Sequence, residues 1–392
     1  MKNLYKKIMI AFFAVFLAAM PILTLVFLSP EETPFSENEN RYLSAFPKLS
    51  LKTYREETFM EGFDDWISDR FFGREDWIVL KNKTDSALGK TETNGVFIEN
   101  NMMMQIWKDY DEEIYARNLK AINNFAENHP EIPAYFMLVP NAQEIYRNNV
   151  PKYAEVGSQK KYIDKFYSEL KGFEGTIDAY SALTDRKSSY IYYRTDHHWT
   201  SYGAFTAYEA AASVLDYDNY KYDSFTIEHA SNEFRGTLFS KTLDFDVTPD
   251  VIDYYTLTDG EPSVKVSVFK NFDTKTGKVL YDEYDSMYFR SFLQVKDKYS
   301  SFLGQNSPLV TVENENAKSD RSLLIIKDSY AHSIVPFLSK EYKKVTMIDL
   351  RYINTDFQVM APLSDYDQLL FLYNVITFSE DKDYIIRLNL CE

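Results

Sequence analysis

The stretch RSLLIIKDSYAHSIVPFL, residues 321–338, decides the fold class. Its first part, SLLIIK, is a short continuous apolar run, the pattern of a strand buried on both faces. Asp328-Ser329 interrupts the run, and from Ala331 the apolar spacing becomes helical. A strand that turns directly into a helix is the unit of an α/β domain with a parallel sheet flanked by helices. Similar units lie to either side. Residues 344–350 (KVTMIDL), 368–374 (QLLFLYN) and 134–140 (AYFMLVP) read as further buried strands. Helical spacing covers 110–128, 160–170 and 202–214, with short strands expected at 175–178 and 190–193. Between 216 and 318 the character changes. Alternating runs such as SVKVSVF and the lack of a long helical pattern predict a mostly β insertion.

The amino-terminal part is organised differently. Lys2, Lys6 and Lys7 precede an uncharged apolar run over 8–28. About 20 such residues span the hydrocarbon core as a helix. The lysines favour a cytoplasmic start, which puts the rest of the chain outside the cell as a single-pass membrane protein. The length of the run favours an uncleaved anchor over a cleaved signal. Residues 1–29 are therefore read as the anchor or signal, 30–52 as a polar, Pro-containing linker, and 53–392 as the folded domain. A helical stretch over 53–88 is broken in two at 69–74, and a turn at Asn94-Gly95 starts a hairpin.

Composition narrows the function. The formal net charge of -16 over 392 residues excludes a nucleic-acid partner, which needs clustered Lys and Arg. A neutral or cationic glycan is easier to reconcile with an acidic surface. The single cysteine, Cys391, permits neither an intrachain disulfide nor a cysteine-based zinc site.

Five histidines are present, and two are adjacent in YYRTDHHWTSYGA, residues 192–204. Asp196 and His198 lie between an expected strand and an expected helix, where α/β folds place their sites. Ser329 occupies the equivalent place after SLLIIK, with its hydroxyl at a helix start whose N–H groups can face an oxyanion. A serine hydroxyl needs a histidine to take its proton and an aspartate to orient that ring. Ser329, His198 and Asp196 are thus the candidate catalytic triad. Each element has a plainer reading: Asp-Ser as a helix cap, Asp-x-His as a loop ion pair or, with His197, part of a metal site. His332 and His129 read as helix residues, and Met102–Met103–Met104 as core.

TDHHW at 195–199 is the naming motif of the DHHW protein family, and the chain resembles that family. The family is similar to the alginate O-acetylation proteins of the SGNH hydrolase superfamily. Those carry T-D-x-H-W-T followed later by G-D-S or a similar element. The matching residues here are Thr195, Asp196, His198, Trp199 and Thr200, then Asp328 and Ser329. PFSENENRYLSAFP (34–47), FDDWISDRFFGR (63–74), MLVPNAQEIY (137–146) and YDQLLFLYN (366–374) look like the same family's segments. One departure is Lys327, where glycine is common. The resemblance implies an SGNH-like domain and His198 rather than His197 as base. It also implies O-acyl transfer to a cell-surface polysaccharide, without a cofactor, using acyl groups supplied by a membrane-bound O-acyltransferase partner. A polysaccharide esterase and a non-catalytic glycan scaffold are the other two readings. Asp328, Tyr330, Asn141, Arg351 and Trp199 are the candidates for oxyanion or substrate contacts; a surface salt bridge for Arg351 and loop packing for Trp199 are the alternatives.

Overall fold

The computed structural model describes residues 2–29, 31–272 and 279–389; Cys391 lies outside the described residues. The chain forms two compact units, Met1–Asn94 with Phe239–Phe245, and Gly95–Leu238 with Asp246–Glu392. The boundary expected at 52/53 falls inside the first unit.

The first unit opens with helix α1, Lys2–Val26. Its stretch Leu4–Val26 is long and apolar enough to cross a membrane, about 35 Å at the helical rise. Two amphipathic helices follow, α2 (Thr58–Asp69) and α3 (Arg74–Ala87). They are separated by Gly73, whose φ of +66° is a left-handed conformation that glycine adopts without a Cβ clash. The segment expected as a linker contains a small strand pair, Phe35–Ser36 with Arg41–Tyr42. It is tied down at Asp69, which accepts from Arg41 Nη1 and Nη2 at 2.9 and 2.5 Å and from Ser44 N at 2.8 Å. Such a forked arginine–carboxylate pair fixes direction as well as distance.

The second unit is mixed α/β. Its strands are β1 (Ala134–Val139), β2 (Gly175–Thr176), β3 (Phe225–Phe234), β4 (Asp250–Leu257), β5 (Val264–Phe272), β6 (Val279–Tyr284), β7 (Leu309–Asn314), β8 (Ser319–Lys327), β9 (Tyr342–Ile348) and β10 (Gln368–Asn374). Eight of them form one sheet in the order β6-β5-β7-β9-β8-β10-β1-β2, while β3 and β4 pair separately. From β9 to β2 the pairing is parallel; β6, β5 and β7 join antiparallel. The β-rich region over 216–318 is therefore not a separate insertion, because its second half extends the central sheet. Pairing of β7 along β9 satisfies backbone groups that would otherwise form an open edge.

Helices cover both sheet faces, which explains the uninterrupted apolar strands. On one face Met137, Leu323, Ile325 and Leu370 pack with α6 (Ser201–Leu215) and α7 (Ala331–Leu338). On the other, Phe136, Leu324, Ile326 and Phe371 pack with α4 (Glu112–Asn128), α5 (Gln159–Glu169) and α8 (Val375–Glu380). Alternate residues of each strand thus serve opposite cores. The strand expected at 190–193 is absent. A single bridge, Tyr192 to Trp199, closes a tight loop instead. Tyr192 and Tyr193 are both fully buried but belong to different clusters. They imitate the alternation of a strand without a ladder.

Candidate active site

The 191–200 loop folds back on itself through Tyr193 N to His198 O (3.2 Å) and Thr200 N to Ile191 O (3.0 Å). Thr200 then caps α6, its hydroxyl accepting from Gly203 N. The entry to the loop is pinned by Asp250, a buried carboxylate at the start of β4. It accepts from Arg194 N (2.6 Å), Thr195 N (2.8 Å), Thr195 Oγ1 (2.5 Å) and Tyr190 Oη (2.5 Å). Burial raises the Asp250 carboxyl, and these donors oppose the rise.

Within the loop, Asp196 Oδ1 accepts from His198 N (3.0 Å) and Nδ1 (2.5 Å). Its Oδ2 accepts from Thr237 N (2.8 Å) and Thr237 Oγ1 (3.0 Å). Burial alone would raise this carboxyl. The His197 and His198 imidazoles beside it, together with the Thr237 N–H, hold it well below the usual carboxylate range. Asp196 is therefore an oriented anion. The loop bearing Thr237 approaches so closely that a Cβ on Gly236 would lie 2.3 Å from both Cβ and Oδ2 of Asp196. Glycine is required there for space.

Ser329 comes from the turn between β8 and α7 and is partly exposed. Its Oγ lies 2.7 Å from His198 Nε2. Ser329, His198 and Asp196 thus form one continuous line of hydrogen bonds across a sequence separation of 131 between serine and histidine. With Nδ1–H donated to Asp196, Nε2 is left as the acceptor for the serine proton, as general-base activation requires. The Ser329 N–H has no acceptor among the described residues and is available to an oxyanion formed at its own acyl group. Ligand atoms of Asp196, His197 and His198 fall within 4.8 Å of one another. Both His198 nitrogens are committed to Asp196 and Ser329, however, so a cation there would compete with the triad's own hydrogen bonds.

The other sequence-selected residues surround this line but are occupied. Asp328 N donates to Leu372 O (3.2 Å), a sheet bond, so it is not an oxyanion donor. The Asp328 carboxylate accepts from Tyr330 N (2.9 Å), Asn374 N (2.7 Å) and Asn374 Nδ2 (2.6 Å). Tyr330 is fully buried, and its hydroxyl donates to His197 O. Asn141 Nδ2 donates to Tyr330 Oη (3.0 Å) and Asn374 Oδ1 (3.3 Å). Trp199, with 0% exposure, has no face for a sugar. Its indole N–H donates to Tyr330 O (3.1 Å) and Ser333 Oγ (2.8 Å), which stitches the histidine loop to α7. Arg351 forks onto Asp349 through Nε (2.8 Å) and Nη2 (2.6 Å). The substrate-contact expectations for Asn141, Tyr330, Asp328 and Trp199 give way to a positioning role, because burial leaves none of them a surface. For Arg351 the salt-bridge reading holds.

Two contacts had no sequence signal. Tyr299 lies parallel to the His198 ring, with centroids 3.8 Å apart and planes 8° apart. Its hydroxyl donates to Ser329 O (3.0 Å). Asn374 ends β10, caps α8 through Thr377 N (3.1 Å) and holds Asp328. Asparagine closing an apolar run just before a helix is a cap signature that marks this position.

Comparison with known structures supports the fold. A DHHW family protein from Eubacterium siraeum is 23% identical, with a TM-score of 0.62 over 76% of this chain and 96% of that one. Bacillus cereus PatB1 is 21% identical, with a TM-score of 0.59 over 75% and 99%. A structure of PatB1 with a sulfonyl adduct aligns at 20% identity and the same TM-score over the same shares. The curated proteins give no match. The DHHW protein family profile matches residues 94–348, a span that runs from before β1 to the end of β9 and includes Asp196, His198 and Ser329. With that match, a shared fold and Asp-His-His-Trp at 196–199, the chain belongs to the DHHW protein family.

Proposed function

We propose that the protein is an SGNH-type serine O-acyltransferase, most simply an O-acetyltransferase, acting outside the cell on a surface or secreted polysaccharide. The observation that carries this reading is the Ser329–His198–Asp196 hydrogen-bond line. In the first half-reaction Ser329 Oγ attacks the acyl carbonyl carbon of a donor ester and its proton passes to His198 Nε2. The tetrahedral intermediate collapses, the donor's alkoxide leaves with that proton, and an acyl-serine remains. In the second, a sugar hydroxyl gives its proton to His198 Nε2 and attacks the acyl carbon. Collapse returns the proton to Ser329 and releases the O-acylated sugar. Asp196 stays ionised and stabilises the imidazolium in both halves. The sulfonyl adduct seen on the fold relative PatB1 is consistent with a nucleophile in this fold.

The α1 helix supports placement at the membrane, with the second unit on the outer side. Acyl groups would then come from a membrane-bound O-acyltransferase partner. Hydrolysis of the same acyl-serine by water would make the protein an esterase, and the two outcomes differ only in the acceptor. The test uses the full chain in detergent micelles with p-nitrophenyl acetate and a candidate glycan, followed by mass spectrometry. Acetylated glycan formed by wild type and lost in Ser329→Ala and His198→Ala establishes transfer. Serine-dependent acetate release without glycan product makes it an esterase. Equal rates for wild type and both variants would sink the triad.

A further inference from the structure

Lys327 stands where the resembling sequences commonly have glycine, two residues before Ser329, and its side chain is fully buried. A buried ammonium is costly unless all its donors are used. Here Nζ reaches His332 Nε2 at 2.8 Å, Asp349 Oδ2 at 3.2 Å and Asn306 Oδ1 at 3.3 Å. An ammonium can only donate, so His332 Nε2 is the acceptor and its proton sits on Nδ1. That Nδ1–H faces Phe302 O at 2.9 Å. Burial, then the neighbouring Lys327 charge, hold the His332 imidazole well below its usual pKa, so it stays neutral and keeps one tautomer.

The consequence reaches the reaction centre from a second side. Phe302 N is bonded to Tyr299 O (3.0 Å) in one tight turn. Tyr299 is the residue that lies on the His198 ring and holds the Ser329 carbonyl. From this closed circuit we propose that Lys327, through His332 and the Phe302 carbonyl, is a positioning residue that sets Tyr299 against His198 and so fixes the His198–Ser329 alignment. The inference rests on the triad reading above and adds to it the group that holds the uncovered face of the base. Lys327 and His332 touch neither substrate nor reacting atoms. They act through the backbone turn at 299–302.

The experiment compares the full chain with Lys327→Met, His332→Leu and His332→Asn. The asparagine amide replaces the donor at Nδ1; leucine does not. Acetate release from p-nitrophenyl acetate gives kcat and KM, and sulfonyl fluoride labelling of Ser329 gives the nucleophile's rate. Near-UV circular dichroism reports folding of each variant. Misalignment of about 1 Å costs on the order of 100-fold in rate, so kcat and labelling should fall roughly 10- to 100-fold in Lys327→Met and His332→Leu. KM should stay within about twofold, and His332→Asn should recover most of the loss. Folded Lys327→Met and His332→Leu that label at the wild-type rate overturn the inference and leave the triad standing. Should Lys327→Met not fold, the His332 pair decides: equal rates for leucine and asparagine overturn the inference. Failure of wild type to be labelled at Ser329, with Ser329→Ala as the control, overturns the triad reading itself.

Discussion

Tyr299 lies flat on the imidazole of His198, 3.8 Å from centroid to centroid. This packing covers one face of the ring whose two nitrogens contact Asp196 and Ser329. An aromatic pair contributes about 0.5–1.5 kcal/mol beyond its buried area. Tyr299→Leu should therefore lower kcat by roughly 3- to 10-fold on that contribution alone. Tyr299→Phe, which keeps the ring and loses only the bond to Ser329 O, should retain most activity. Steady-state hydrolysis of p-nitrophenyl acetate decides it, and equal losses in the two variants would assign the effect to the hydroxyl.

Asp196→Asn should abolish most turnover, by roughly 10³- to 10⁴-fold, because the amide no longer selects the productive His198 tautomer. The same residue should appear in acid unfolding. Its folded-state carboxyl lies below its usual range, so its stabilisation is present above the unfolded pKa of about 4 and is lost as pH falls through the folded value. Between pH 5 and pH 3, both flagged here as approximate bounds around that value, wild type should lose more urea resistance than Asp196→Asn. Parallel curves would show that Asp196 is not held as an anion.

Gly236→Ala tests the steric seat of the acid. The new methyl would meet Asp196 Cβ and Oδ2 at 2.3 Å, and neither can retreat without breaking the bonds to Thr237 or His198. A cost of about 1–3 kcal/mol is expected in urea unfolding, as for other overpacked sites, together with a fall in kcat. A stable, fully active alanine variant would mean that the loop at 236–237 yields freely.

Trp199→Phe separates packing from glycan contact. Loss of the indole N–H leaves Tyr330 O and Ser333 Oγ without that donor and should cost about 1–3 kcal/mol. Stability should fall while KM for the glycan acceptor is unchanged. A raised KM with unaltered stability would contradict the buried position.

The parts of the fold that were legible in sequence are those where one physical term dominates. Residues 368–374 were readable as a strand to the residue, because every side chain in β10 is buried and none carries charge. The Ser-His-Asp residue types stood out because they are chemically scarce in this chain, with five histidines in all. What stayed hidden depends on tertiary placement. Tyr299 lies among polar residues and acquires its role only when the 298–301 turn meets the histidine loop. Asp328, Tyr330, Asn141 and Trp199 resembled ligands by type and location. Burial instead commits their polar atoms to bracing Ser329 and His198. The antiparallel edge was missed because alternation in β5 predicts a half-buried strand without saying which sheet receives it.

The sheet order has a consequence for biogenesis. Strand β10 follows every other strand in the chain, yet it sits between β8 and β1 in the centre of the sheet. A chain emerging from the ribosome or a translocation channel reaches Ser329 well before it reaches Asn374, the partner of the Asp328 carboxylate. Until then β8 and β1 each lack a neighbour, and their unsatisfied edges are the surfaces from which misassembly starts. Closure over such long sequence separation is intrinsically slow. The serine is therefore not held in its final geometry until late in synthesis, which keeps a nascent chain inert towards acyl donors during its passage to the cell surface.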